Sequence, residues 1–265
     1  VTLHVGIPES RRVYLAYDDR PFNKKAKANF RASRKAEIQF GAKLRRIARH
    51  IGDIVTSIEH GTLSAAYQVA QALAQYAEAL EPWARAVLSR MHTEIGARDR
   101  KQWMKYAAEM GRNLRDEIES APTGEVMRQL LSEQVALIKS IPLDAAKRVH
   151  ELTLEGLIDG TRWPEIAKKI YETGDVTISR SNLIARTEVS RTAAILTEVR
   201  ARHVGSTHFV WETVRDNRVR PDHHDLHGKT FAWDDPPVAD KRTGARALPG
   251  AIYNCRCFAR PLLSN

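Results

Sequence analysis

Apolar residues recur at three- and four-residue steps through most of the chain, the period of a helix that buries one face. Ile38, Leu44, Ile47, Ile51, Ile54, Val55 and Ile58 mark one such stretch, from Ala36 to about Ile58. Leu63, Ala66, Ala70, Leu73, Ala77, Leu80, Val87, Met91 and Ile95 mark the next, where Pro82 either kinks one long helix or opens a second in its first turn. Trp103, Tyr106, Met110, Leu114 and Ile118 give a further face. Ser120–Gly124 reads as a turn, and Val126 to Ile141 as a helix that reaches Pro142. Two shorter helices are predicted over 143–159 and 161–173, with Gly160 stopping the first and Thr161 capping the second. A last long helix is predicted over 177–204, ending at Gly205.

After Gly205 the pattern changes. Thr207–Val214 is rich in β-branched and aromatic residues, a strand signal, with weaker strand candidates at Lys229–Trp233 and Arg256–Leu262. Residues 234–250 carry Pro236, Pro237, Pro249 and Gly250 and read as a loop. The predicted fold is therefore mainly α, built of long helices, with a small C-terminal α+β cap. The predicted divisions are a basic N-terminal arm over 1–35, a helical region over 36–150 and a C-terminal domain over 151–265.

Charge sharpens this picture. The net charge is +10, but residues 1–50 alone carry a balance of +9, residues 51–199 one of −3 and residues 200–265 one of +4. Lys24, Lys25, Lys27, Arg31, Arg34 and Lys35 lie in a stretch with little apolar content, read as an extended arm. Such an arm is either a solvated face or an electrostatic footprint for nucleic acid. No run approaches the roughly 18 apolar residues that span a membrane, and the first thirty residues show no apolar signal segment. The chain starts at Val1, which leaves open a processed start or a further upstream segment. Its two cysteines, Cys255 and Cys257, are too close in sequence for a structural disulfide with each other, and a reducing compartment fits them.

The distinctive chemistry lies near the C-terminus. Arg186-Thr187-Glu188 sits on the last long helix. It is followed by Asp216-x-Arg218-x-Arg220-x-x-His223, then Leu226-x-Gly228, then Asn254-Cys255-Arg256-Cys257. Taken in this order, these motifs resemble the phage head-morphogenesis family whose namesake is the F protein of phage Mu, over about residues 150–262. The resemblance implies a minor capsid protein, a non-enzymatic component of the virion made in the host cytoplasm. Portal protein and major capsid protein are the implied partners, with an implied role in DNA packaging or delivery; non-specific DNA contact through the basic arm is an expectation from its charge. Some members of the family carry a Cys-x-x-Cys where Arg220 and His223 stand here, and many carry a His where Ile252 stands.

Read from the residues alone, two arrangements remain open. His223, His227, Cys255 and Cys257 are of zinc-ligand type and could meet if their two loops pack together. Alternatively, no cofactor is held, and Asp216, Arg186 and His223 form a buried hydrogen-bonded network with the cysteines as small apolar residues. A different class of function, a metal-dependent nuclease or toxin-associated domain, would draw on Asp222, His223, His224, Asp225 and His227. In an extended loop, adjacent side chains of that run point opposite ways, so few of them converge.

Overall fold

The computed structural model describes residues 29–58 and 62–263, Trp163 by its backbone only. Eight helices and five short strands are present among the described residues. They are α1 (Arg34–Ser57), α2 (Leu63–Ala79), α3 (Glu81–Glu109), α4 (Arg115–Ser120), α5 (Thr123–Ile158), α6 (Trp163–Tyr171), α7 (Thr173–His203) and α8 (Pro221–Leu226), with β1 (His208–Glu212), β2 (Thr230–Ala232), β3 (Val238–Asp240), β4 (Ala245–Arg246) and β5 (Phe258–Leu262). The fold is mainly α with a small C-terminal α+β cap. None of the helices is long and apolar enough to cross a membrane.

Several local expectations change. Pro82 opens a helix: α2 ends at Ala79 and α3 begins at Glu81, where the missing N–H of proline costs nothing. That helix continues through Trp103 and Tyr106 and stops before Gly111, which adopts φ +65°. Pro142, by contrast, does not end a helix. Helix α5 runs through it because its buried face continues from Ile138 and Ile141 to Ala145 and Val149. Burial on both sides outweighs one absent backbone hydrogen bond. Gly160 is a helix stop at φ +63°, closed by the Thr161 N–H on the Gly156 carbonyl. Thr161 is not the cap of α6; Arg162 takes that position and makes no side-chain cap bond. Helix α7 starts at Thr173, four residues earlier than its apolar pattern suggests. The 234–250 stretch is not all loop, since β3 and β4 pair within it.

The chain divides into two compact units. One comprises residues 35–91 and 130–186 and, among its described residues, is built of helices joined by short turns. Its core includes Phe40, Leu44, Ile51, Leu73, Ile138 and Ile170. Polar ties add to it: Arg45 donates to Asn182 at 2.8 Å, and Lys139 reaches Glu78 and Glu81 at 2.8 and 3.2 Å. The other comprises, among the described residues, 29–34, 92–129 and 187–263 and carries the cap. There β1 is the central strand of an antiparallel sheet, order β2-β1-β5, pairing Phe209 with Phe231 and Trp211 with Ala259. The Tyr106 hydroxyl donates to the Pro261 carbonyl at 2.6 Å, which fastens α3 to β5. A buried ion pair, Arg200 Nε to Asp99 at 2.7 Å, joins α7 to α3.

The described end of the basic stretch packs into the core and runs into a helix. Lys24, Lys25 and Lys27 lie outside the described residues. Phe30 is buried against Trp103 and Tyr106, with ring centroids 5.1 and 5.8 Å away, so the segment does have a core to enter. Arg34 and Lys35 already belong to α1, and with Arg31 they are exposed.

Candidate functional site

The C-terminal motifs converge within the cap. The Asp216–His223 segment is not uniformly extended: Pro221 fixes the first turn of α8, and this short helix sorts its side chains. His223 turns inward and is buried, while Asp222 and Asp225, three residues apart, share the outer face. Lys241 meets them at 3.3 and 3.0 Å. The acidic and histidine residues of the run are thereby split, with His223 facing inward and Asp222 and Asp225 outward.

The Asn254–Cys257 segment enters from the other side. Asn254 sits at φ +57°, a left-handed conformation that asparagine tolerates better than most residues, and its N–H donates to the Thr187 hydroxyl on α7 at 3.1 Å. The chain then runs extended into β5, so residues two apart face the same way. Cys255 and Cys257 point inward and are buried; Arg256 between them points outward. Its guanidinium grips both oxygens of Asp216, each at 2.6 Å. Asp216 also accepts from the Arg218 N–H at 3.1 Å. The Arg220 guanidinium donates to the Tyr253 carbonyl at 2.7 Å, a second tie between the same two segments.

Gly250 closes the arrangement. At φ +94° it packs so tightly that a Cβ would lie 3.0 Å from the Cys257 carbonyl and 3.3 Å from that of Ser190 on α7. Its N–H points at Cys255 Sγ, 3.4 Å away. Gly228, at φ +76°, donates to the Trp211 carbonyl at 2.8 Å, and Leu226 packs on the aromatic core of the cap.

At the centre, His223 Nδ1 lies 3.5 Å from both Cys255 Sγ and Cys257 Sγ. Its Nε2 is 2.9 Å from the Ala239 carbonyl. A carbonyl only accepts, so Nε2 carries the hydrogen and Nδ1 offers its lone pair to the sulfurs. Trp211 stands edge-on to the imidazole with centroids 5.3 Å apart. The hydrogen bond from Cys257, reinforced by His223 and opposed by burial, holds the Cys255 thiol well below its ordinary pKa. The same partnership with Cys255, together with burial, pushes Cys257 up. Burial presses His223 down, but its contact with Cys255 outweighs this and leaves it raised.

The expected network of Asp216, Arg186 and His223 does not form. Arg186 donates to Glu37 of α1 at 3.0 Å, Asp216 pairs with Arg256, and His223 faces the cysteines. Glu188 is buried with Arg191, one helical turn on, 3.5 Å away. His227 does not join the cysteines either: its ring nitrogens lie 3.1 Å from the Thr213 nitrogen and 3.0 Å from Arg215 Nε. The sequence alone does not give Arg256 its role as the partner of Asp216, Gly250 its close contact or the Ala239 carbonyl its place beside His223. The inward–outward–inward order of Cys-Arg-Cys was a usable signal for the first. Nothing local pointed to the carbonyl, which arrives through the unexpected β3.

These contacts define a helical protein with a sheet-and-helix cap braced by one polar constellation. Residues 147–260, from the last turns of α5 into β5, match the family described as Phage Mu protein F like protein. That is the resemblance carried by the motifs. An uncharacterized protein of Haemophilus influenzae is 30% identical over 141 residues, 53% of this chain and 30% of that protein. An uncharacterized protein of Methanocaldococcus jannaschii is 32% identical over 113 residues, 42% of this chain and 17% of that protein. Minor head protein GP7 of Bacillus phage SPP1 is 22% identical over 167 residues, 57% of this chain and 53% of that protein. The chain thus spans about half, or less, of the length of these relatives. No solved structure matches.

Proposed function

We propose that this chain is a minor head protein of a tailed bacteriophage, a virion component acting in head morphogenesis through portal and major capsid contacts and a non-specific hold on DNA. The observation that carries this reading is the match of residues 147–260 to the Mu F family, at the segments whose contacts brace the cap. The stretch shared with Minor head protein GP7 points the same way. The chain then works by binding. Its histidine-rich run favours this over hydrolysis, since Lys241 occupies Asp222 and Asp225 and His223 is turned into the interior. The test is mass spectrometry of gradient-purified particles of the phage that encodes the chain. Peptides of this chain are expected at a small fraction of the major capsid protein, and an early stop codon in its reading frame should lower infectivity. Infectious particles that lack the chain would overturn the reading.

A further inference from the structure

The cap holds a cluster that bracing does not explain. His223 Nδ1, Cys255 Sγ and Cys257 Sγ are all buried, lie within 4.8 Å of one another and form the one such group of three among the described residues. We propose that these three atoms bind one zinc ion, with the fourth tetrahedral position left to water.

The spacing fits. Zinc bonds of about 2.3 Å to sulfur and about 2.0–2.1 Å to nitrogen at the tetrahedral angle place S and N about 3.5–3.6 Å apart. Both observed S···N separations are 3.5 Å. The same geometry asks for about 3.8 Å between the sulfurs, and no pair of the three donor atoms exceeds 4.8 Å.

The surroundings fit as well. A metal-bound imidazole commonly donates its other N–H to a carbonyl or carboxylate, which fixes its tautomer and aims its lone pair. His223 does this through Nε2 to the Ala239 carbonyl. The Gly250 N–H directed at Cys255 Sγ stabilises negative charge on sulfur, as a thiolate ligand requires. Beside the three donors lies a cavity of about 10 Å³, bordered by Val219, Arg220 and Asn254. It is close to the minimum for one water molecule, which suits a fourth ligand. On binding, the metal takes both sulfurs as thiolates and the imidazole as neutral, so the protons they held pass to solvent.

The experiment uses the full chain, purified under reducing conditions from cells supplied with zinc and then desalted. Elemental analysis is expected to find about one zinc per chain. After removal of metal by chelator, Co²⁺ should produce thiolate-to-cobalt charge transfer and the intense visible bands of a tetrahedral site, saturating at about one equivalent. Cys255→Ser and His223→Ala should each lower bound metal to under about a tenth of an equivalent. His227→Ala should leave it unchanged. A wild-type chain, folded by circular dichroism, with no zinc and no cobalt spectrum overturns the proposal, and that arm does not depend on the folding of any variant. Full metal content in Cys255→Ser, or its loss in a folded His227→Ala, would overturn the ligand set.

Discussion

The Asp216 carboxylate faces Arg256 through both oxygens and also accepts a backbone N–H. The Arg256 hydrogen bonds, more than offsetting partial desolvation, hold its pKa below the ordinary carboxylate value. A carboxylate whose folded pKa is depressed contributes stability that is fully present above its unfolded pKa and fades as pH falls through the folded value. Asp216→Asn should therefore lower the melting temperature at neutral pH, and the gap from wild type should close below about pH 4. Thermal melts across that range check it; a gap that does not change with pH would mean the charge is not what matters. This interaction shows what residue types can and cannot disclose. Asp216, His223 and the cysteines were legible as a polar constellation, because such residues rarely share a short segment without a shared task. Their partners were not legible. Whether Asp216 meets Arg186 or Arg256 depends on which side of an extended segment each residue faces, and that was decided only when the Asn254 turn and the Gly250 contact set the register of Cys255 to Cys257.

Two glycines near the end of α5 look alike in sequence and act differently. Gly160 supplies the left-handed residue that ends the helix. Gly156 lies inside the helix, where alanine would ordinarily gain about 1 kcal/mol. Here a Cβ would overlap Cγ1 and Cδ1 of Ile166, a buried residue of α6 whose branched side chain has few alternative rotamers. Gly156→Ala should therefore destabilise the chain, by on the order of 1–3 kcal/mol, the usual cost of overpacking. Denaturant unfolding decides this, and a stabilised variant would mean that α5 and α6 separate easily. Helices with a sustained apolar stripe were readable because burial repeats every turn, and α1, α2 and α7 follow their stripes to within a few residues. Pro142 was misleading because a proline weighs heavily in a local reading, whereas the buried residues on either side of it act together. The short elements α8, β3 and β4 left no periodic trace, being too brief to show one, and they are the ones that deliver His223 and the Ala239 carbonyl to the site.

The uneven charge of the chain bears on its proposed hold on DNA. Of the +9 balance in residues 1–50, much lies on α1, where Arg34, Lys35, Arg46 and Arg49 are exposed, and Lys24, Lys25 and Lys27 lie earlier in the chain. Lysines and arginines that reach phosphates bind without regard to sequence and release counterions as they do so. If Lys24, Lys25, Lys27, Arg31, Arg34 and Lys35 supply about five phosphate contacts, the log–log dependence of affinity on salt should have a slope near about −4 to −5. A truncation that tests this must keep Phe30, whose ring fills the core beside Trp103 and Tyr106. A chain lacking residues 1–28 keeps it and removes three of the six cations, so its slope should be shallower by about 2 to 3. Circular dichroism on both chains checks that the shortened one is folded. Filter binding on a duplex of mixed sequence provides both titrations. No binding by the full chain at low salt, or the same slope in both chains, would assign these charges to an acidic protein surface in the head instead of to DNA.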